Sequence, residues 1–223
     1  MMRVESLMHL GNTVVKYTGD MTHYLESVDL RLNCGKGALN ITTDALDLVD
    51  FVKENLVNID EIGSMLDIGA GIGTITFMLY RQRNFTDFHA VEIQKDVYDI
   101  LLSNILLNNM TVSAYNMDIK EFHLPFKFKY IISNPPFYKT NSGYMPQDEV
   151  MKISKFEVCL KVSELLDVVN DLLDDRGYFF LILSIERDEE LRKDKRFIIK
   201  NYKKHFRGKK VFISYLLRKD KND

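Results

Sequence analysis

Cysteine is scarce in this 223-residue chain: Cys34 and Cys159 stand far apart, with no CxxC pair and no Cys/His cluster. That argues against a disulfide framework and a structural zinc site, so no metal is expected and a reducing compartment fits best. The N-terminus lacks a basic stretch followed by an apolar one, and no apolar run approaches the roughly 18 residues a membrane span needs. A cytoplasmic protein without membrane contact is the expectation. No internal repeat, low-complexity tract or Pro/Gly/Ser linker divides the sequence. The length suits one sizeable domain, or one domain with a small appendage, and a monomer is the favoured state.

What is present is ordinary in amount and uneven in placement. Hydrophobic residues make up 46% and charged residues 28%, as in a soluble globular protein, and the net charge is only -2. Between Arg192 and Lys210, however, ten Lys and Arg residues face one acid, Asp194. Such asymmetry suits a face built for a polyanion, with Lys203, Lys204 and Arg207 as candidate contacts.

Periodicity divides the chain in two. Residues 1–40 read as an N-terminal extension that could form a β-hairpin: Tyr24–Leu32 alternates like a strand, and Cys34–Gly37 looks like a turn. From Thr43 the pattern is helical, with Ala45, Leu48, Val49, Val52 and Leu56 on one face and Thr43 or Asp44 suited to cap it. Short apolar runs at Ser64–Ile68, Asp87–Ile93, Val112–Asn116, Tyr130–Ser133 and Tyr178–Leu183 then alternate with helical patterns at Ile75–Tyr80, Val97–Leu107 and Ser154–Leu173. Alternation of this kind predicts a parallel α/β sheet. Arg196–Ile199 and Lys210–Leu217 are expected to add an antiparallel hairpin, joined by a basic loop at Lys203–Lys209.

The strand Met65–Ile68 runs into Gly69, Gly71 and Gly73 and then a helix near Thr74. Glycines there let the backbone turn sharply and approach a ligand, beside the free N–H groups of a helix start. The spacing is G-x-G-x-G rather than the G-x-G-x-x-G that receives a pyrophosphate, and Asp67 precedes it. A carboxylate at that point would repel a diphosphate and suits a cofactor with a cationic amine and sulfonium. Glu92, at the end of the next strand, is placed for ribose hydroxyls. Asp118 with Ile119, at the end of the third, is placed for an adenine amino group, with Ile93 beside Glu92. Together these indicate S-adenosylmethionine.

After the fourth strand comes Asn134-Pro135-Pro136-Phe137-Tyr138. Two prolines fix φ and remove two backbone donors, leaving carbonyls free to accept. The Asn134 side-chain oxygen and the Pro135 carbonyl can hold both hydrogens of an exocyclic amine and aim its lone pair, so that catalysis is mostly positioning. Phe137 offers a flat face on which a base can stack, with Tyr138 a second wall.

The order DIGAGIG, VEIQ, MDI, ISNPPFY resembles class I methyltransferases with an N/D-PP-Y/F motif. Within them it is most similar to the bacterial enzymes that methylate N6 of adenosine 37 in a valine tRNA. Asn40–Ala45 resembles a segment of that family that would bring Asp44 against the methionine end of the cofactor. Val91–Gln94, followed by a helix with Asn104 and Asn108, resembles its second-strand motif, and Lys155–Glu157 an element opening the next helix. The resemblance implies a Rossmann-like, mostly parallel seven-stranded sheet over residues 41–223, S-adenosylmethionine as cofactor and tRNA as nucleic acid substrate. Its alternatives are guanine-N2 methylation of rRNA, adenine-N6 methylation of DNA, and N5-methylation of a protein glutamine.

Overall fold

The computed structural model describes residues 4–10, 13–18, 22–35, 41–136 and 160–220. Four short strands come first: β1 (Val4–Leu10), β2 (Thr13–Thr18), β3 (Thr22–Leu25) and β4 (Leu30–Asn33), paired antiparallel in sequence order. The alternation over Tyr24–Leu32 therefore does not form the expected continuous strand. It folds back at a 3-10 turn over Glu26–Val28, closed by Asp29 at φ 51°, so that Leu25 pairs with Leu30. Both arms keep one apolar face, and a period of two carries no mark of such a reversal.

The larger sheet has seven strands: β5 (Gly63–Ile68), β6 (Phe85–Glu92), β7 (Ser113–Asn116), β8 (Phe128–Ser133), β9 (Leu173–Ser184), β10 (Phe197–Arg207) and β11 (Lys210–Lys219). Their order is β10-β11-β9-β8-β5-β6-β7, with β8, β5, β6, β7 and β9 parallel and β11 and β10 antiparallel. This is the Rossmann-like sheet the motifs implied. Helices α1 (Thr43–Leu56), α2 (Thr74–Leu79) and α3 (Lys95–Leu107) cover one face, in an apolar cluster that also takes in Leu25, Leu30 and Leu32. Helix α4 (Val162–Leu172) covers the other, where Leu165, Leu166 and Val169 meet Ile131, Phe179 and Tyr215, and the short α5 (Asp188–Lys193) adds Leu191.

Local chemistry explains the helix ends. Thr42, rather than Thr43 or Asp44, caps α1: its Oγ1 accepts from the Ala45 N–H at 3.2 Å. At α4 the Glu164 carboxylate accepts from the Lys161 N–H at 2.9 Å. The part of the expected Ser154–Leu173 helix before residue 160 lies outside the described residues.

The C-terminal hairpin forms, but its basic segment is not a loop. β10 continues to Arg207, and the turn is only Gly208 and Lys209, with Gly208 at φ 58°. An edge strand buries little, so most of β10 is exposed and the two-residue alternation that marks a strand is lost there. Among the described residues no helix is long and apolar enough to cross a membrane, and no group of three His, Cys, Asp or Glu side chains could hold a metal ion.

Candidate active site

One row of paired residues crosses the large sheet: Tyr202, Tyr215, Leu181, Ser133, Ile68, Val91 and Tyr115. Ser133 and Ile68 are the last residues of adjacent parallel strands. The chain therefore leaves β8 as Asn134 and β5 as Gly69 side by side, at the carboxyl edge where α/β sheets bind ligands. Ser133 Oγ donates to the Ile68 carbonyl at 3.0 Å and fastens the two strand ends. A single crevice opens over this edge, lined by Gly69, Gly71, Glu92, Asp118, Asn134 and Pro135 among others.

The glycine turn is held by backbone. The Gly69 and Ala70 N–H groups both donate to the Val91 carbonyl at 3.0 Å, and Gly73 N–H donates to the Ala70 carbonyl at 3.0 Å. Gly69, Gly71 and Gly73 all have positive φ, at 72°, 59° and 93°. Their surroundings differ. A Cβ on Gly69 or Gly71 would meet nothing within 4 Å, so both present bare backbone to open space. A Cβ on Gly73 would fall 2.4 Å from the Phe77 ring, so that glycine serves the packing of α2.

Glu92 lies at the centre of the polar wall. Its Oε2 accepts from the Gly71 N–H at 3.0 Å and its Oε1 from the Gln94 N–H at 2.9 Å, which ties the end of β6 to the turn. Burial raises its pKa, while those two N–H donors pull the other way. Each oxygen keeps a lone pair for a hydroxyl donor. Asp118 caps the 3-10 turn that follows β7, accepting from the Lys120 N–H at 3.0 Å, with the Lys120 ammonium 3.3 Å away. Ile93 and Ile119 join these acids in the walls.

The other two expected acids stand elsewhere. Asp67 is fully buried, and Thr76 Oγ1 donates to its Oδ2 at 2.6 Å, while Oδ1 has no partner among the described residues. Burial, with Glu92 nearby, pushes its pKa up to about 6 against the pull of Thr76. It supports the turn from behind, and the crevice walls do not include it. Asp44 sits in the first turn of α1, its pKa raised to about 6 by burial and by Asp47, with Arg207 and Lys210 opposing. From that end of α1 the crevice takes Thr42 and Ala45 as walls.

Asn134 and the two prolines line the crevice. The Asn134 Oδ1 is buried and has no hydrogen-bond partner among the described residues. Phe137, Tyr138 and Lys155–Glu157 lie outside the described residues. Sequence reasoning missed the apolar walls Val97, Met117 and Leu160. Val97 fell inside an apolar helical pattern, and such a pattern does not separate a side chain facing a cavity from one facing the core.

The basic segment is partly neutralised. Lys203 pairs with Glu54 at 2.6 Å, and Arg207 pairs with Asp47, both carboxylates being on α1. Arg192, Lys193 and Arg196 also hold carboxylates. Lys200, Lys204 and Lys209 make no ion pair among the described residues.

Residues 35–197 match the methyltransferase small domain family. The tRNA1(Val) (adenine(37)-N6)-methyltransferase of Christiangramia forsetii is 29% identical over 133 residues, covering 57% of this chain and 55% of that protein. That of Flavobacterium psychrophilum is 28% identical over 159 residues, covering 70% and 65%. The matches thus span little more than half to two thirds of these curated relatives. A T. thermophilus 16S rRNA N2 G1207 methyltransferase, solved with AdoMet and guanosine, superposes with a TM-score of 0.61 at 18% identity, covering 98% of this chain and 50% of that one. A putative RNA methyltransferase from Pyrococcus horikoshii gives 0.58 at 18% identity, covering 82% and 92%. These two establish a shared fold. With its glycine turn, strand-end acids and Asn-Pro-Pro segment gathered on one edge of that fold, and the family match running through most of its length, the chain belongs to the methyltransferase small domain family.

Proposed function

We propose that this chain is an S-adenosylmethionine-dependent methyltransferase acting on the exocyclic amino nitrogen of a nucleobase, specifically N6 of adenosine 37 in tRNA. The observation that carries the reading is the Oδ1 of Asn134, buried without a partner among the described residues in the same crevice that the glycine turn opens. A buried acceptor without a donor costs about 1–3 kcal/mol, which an arriving N–H would recover.

The residues fit the cofactor. Gly69 and Gly71 leave room for close approach, Glu92 offers free lone pairs to ribose hydroxyls, and Asp118 offers an acceptor to an adenine amine. When bound, S-adenosylmethionine supplies an electrophilic methyl group on its sulfonium. Asn134 Oδ1 would accept a hydrogen bond from one N–H of the target amine, and the Pro135 carbonyl from the other. With both hydrogens held, the nitrogen lone pair turns out of the plane of the ring and toward the glycine turn. The same two acceptors bind more strongly as positive charge builds on the nitrogen, so they favour the transition state over the bound substrate. Once methylated, the nitrogen carries two hydrogens and a positive charge; it releases one of them as a proton to water and keeps the other, so no side chain need be a strong base.

The choice of adenine in tRNA is supported by the names of eight relatives, each a tRNA1(Val) (adenine(37)-N6)-methyltransferase at 24–30% identity. The test is nucleoside mass spectrometry of tRNA and rRNA after incubation with labelled cofactor. N6-methyladenosine in tRNA is the expected product. N2-methylguanosine in rRNA, or label on a protein glutamine, would replace this substrate, and no product from any of them would refute the reading.

A further inference from the structure

On β10 the two faces have different fates. Asn201, Lys203, His205 and Arg207 turn toward α1, where Asn55, Glu54 and Asp47 engage them. Tyr202, Lys204 and Phe206 pair across the strand with Tyr215, Ile213 and Val211, and so share the opposite face. There Tyr202 is 52% and Phe206 68% exposed. β10 is also the outermost strand of its sheet.

Lysines on an edge strand are expected, because charge deters pairing with another chain. Two exposed aromatic rings on the same edge have the opposite effect and call for a partner. Their height matters. Tyr202 lies in the row that contains Ser133 and Ile68, so Phe206, four residues on, stands about 13 Å above the level where Asn134 leaves the sheet. It rises on the same edge as the crevice. Lys204, between the rings, makes no ion pair among the described residues. The Arg192 guanidinium lies 6.0 Å from the Tyr202 ring, but Asp188 already pairs with it.

We infer that Tyr202, Lys204 and Phe206 form a stacking surface for unpaired bases of the RNA substrate, with Lys204 meeting the phosphate between them. The inference rests on the nucleobase reading above. Flat rings alternating with a cation bind single strands, whose bases are available to stack, in preference to duplexes, whose bases are not. The surface would hold the looped strand around the target nucleotide while that nucleotide enters the crevice.

The experiment uses the full chain, a fluorescently labelled unpaired 12-nucleotide RNA, and a duplex of the same composition. The wild type should bind the unpaired RNA at least tenfold more tightly than the duplex. The Tyr202→Ala/Phe206→Ala double variant should lose at least tenfold in affinity for the unpaired RNA and raise KM for tRNA. It should keep kcat and cofactor affinity, which also verifies folding. Tyr202→Phe with Phe206→Tyr, which retains both rings, should bind like the wild type. Unchanged RNA affinity in the double variant, with tRNA methylation intact in the wild type, overturns this inference and leaves the proposed activity standing. Concentration-dependent self-association that the double variant abolishes, with RNA affinity unchanged, overturns it in favour of contact between copies of the chain. Cofactor binding without methylation of any RNA removes the activity and this surface together.

Discussion

Asn104 on α3 treats Asn33 on β4 as a neighbouring strand would: its Oδ1 accepts from the Asn33 N–H at 2.7 Å, and its Nδ2 donates to the Asn33 carbonyl at 3.0 Å. Asn108 repeats this with Arg31, at 3.1 and 2.8 Å. Four residues of helix and two of strand both advance about 6 Å, so the two side chains match two successive outward groups of the strand. The free edge of the small sheet is thereby satisfied without a fifth strand. Asn104 also donates to the Ile72 carbonyl at 3.0 Å, inside the glycine turn. Asn104→Ala would strip partners from three backbone groups, the half-buried Asn33 N–H and carbonyl and the buried Ile72 carbonyl, and should cost roughly 2–4 kcal/mol. It should also weaken cofactor binding. Asn108→Ala, at a more exposed site, should cost about 1 kcal/mol. Chemical denaturation with cofactor titration checks both, and equal effects from the two variants would contradict this account.

Asn134→Ala should leave cofactor affinity intact and reduce kcat roughly 100-fold or more, because it removes an acceptor that strengthens as charge develops on the amine. Stability should hold or rise slightly, since the lost Oδ1 is a buried acceptor unpaired among the described residues. Steady-state kinetics beside a thermal melt separates these effects. Turnover at the wild-type level would remove Asn134 from catalysis.

Asp67 predicts a pH dependence of definite sign. Its folded pKa of about 6 lies above the ordinary carboxylate value of 3.8 because burial disfavours the charge. Between those values the folded state holds a proton that the unfolded state has released. Stability should therefore fall as pH rises from about 4 to 6, by roughly 3 kcal/mol, and stay at the lower level above that. Asp67→Asn, which keeps an oxygen for Thr76, should flatten this part of the profile. Urea denaturation at intervals from pH 4 to 7 is the measurement, and parallel profiles for the two proteins would exclude Asp67 as the source.

RNA affinity should depend on salt less steeply than ten clustered cations would suggest. Carboxylates within the chain already hold five of them, while Lys195, Lys200, Lys204 and Lys209 make no ion pair among the described residues. Four phosphate contacts at about −0.7 each give a slope near −3 in log K against log salt. Lys204→Gln should reduce it by about 0.7, whereas Lys203→Gln should change it little. A slope near −7 would mean that the internal pairs open on binding.

The central parallel strands β5, β6, β8 and β9 were legible because each holds a short apolar run, and burial on both faces writes that directly into residue type, whereas β7 at the sheet's edge is partly exposed. Three glycines, Glu92, Asp118 and Asn134 stood out because bare backbone, a strand-end acid and a proline-locked amide each need a particular residue. The apolar walls of the crevice did not, since Val97 and Met117 look like core in any apolar pattern. Nor did the reversal at Asp29, where alternation continues unbroken through a turn.

By itself the sequence determined the chemistry that residue type can encode: a turn that only glycine permits, acids at strand ends, and an amide followed by two residues without N–H groups. Tertiary structure alone decided which groups share a space. It set Asp67 behind the turn and Glu92 within the crevice, and spent Lys203 and Arg207 on α1 while leaving Lys204 open beside two exposed rings. Charge and polarity belong to a residue, but partnership depends on distance, and distance is fixed only when the sheet closes its register.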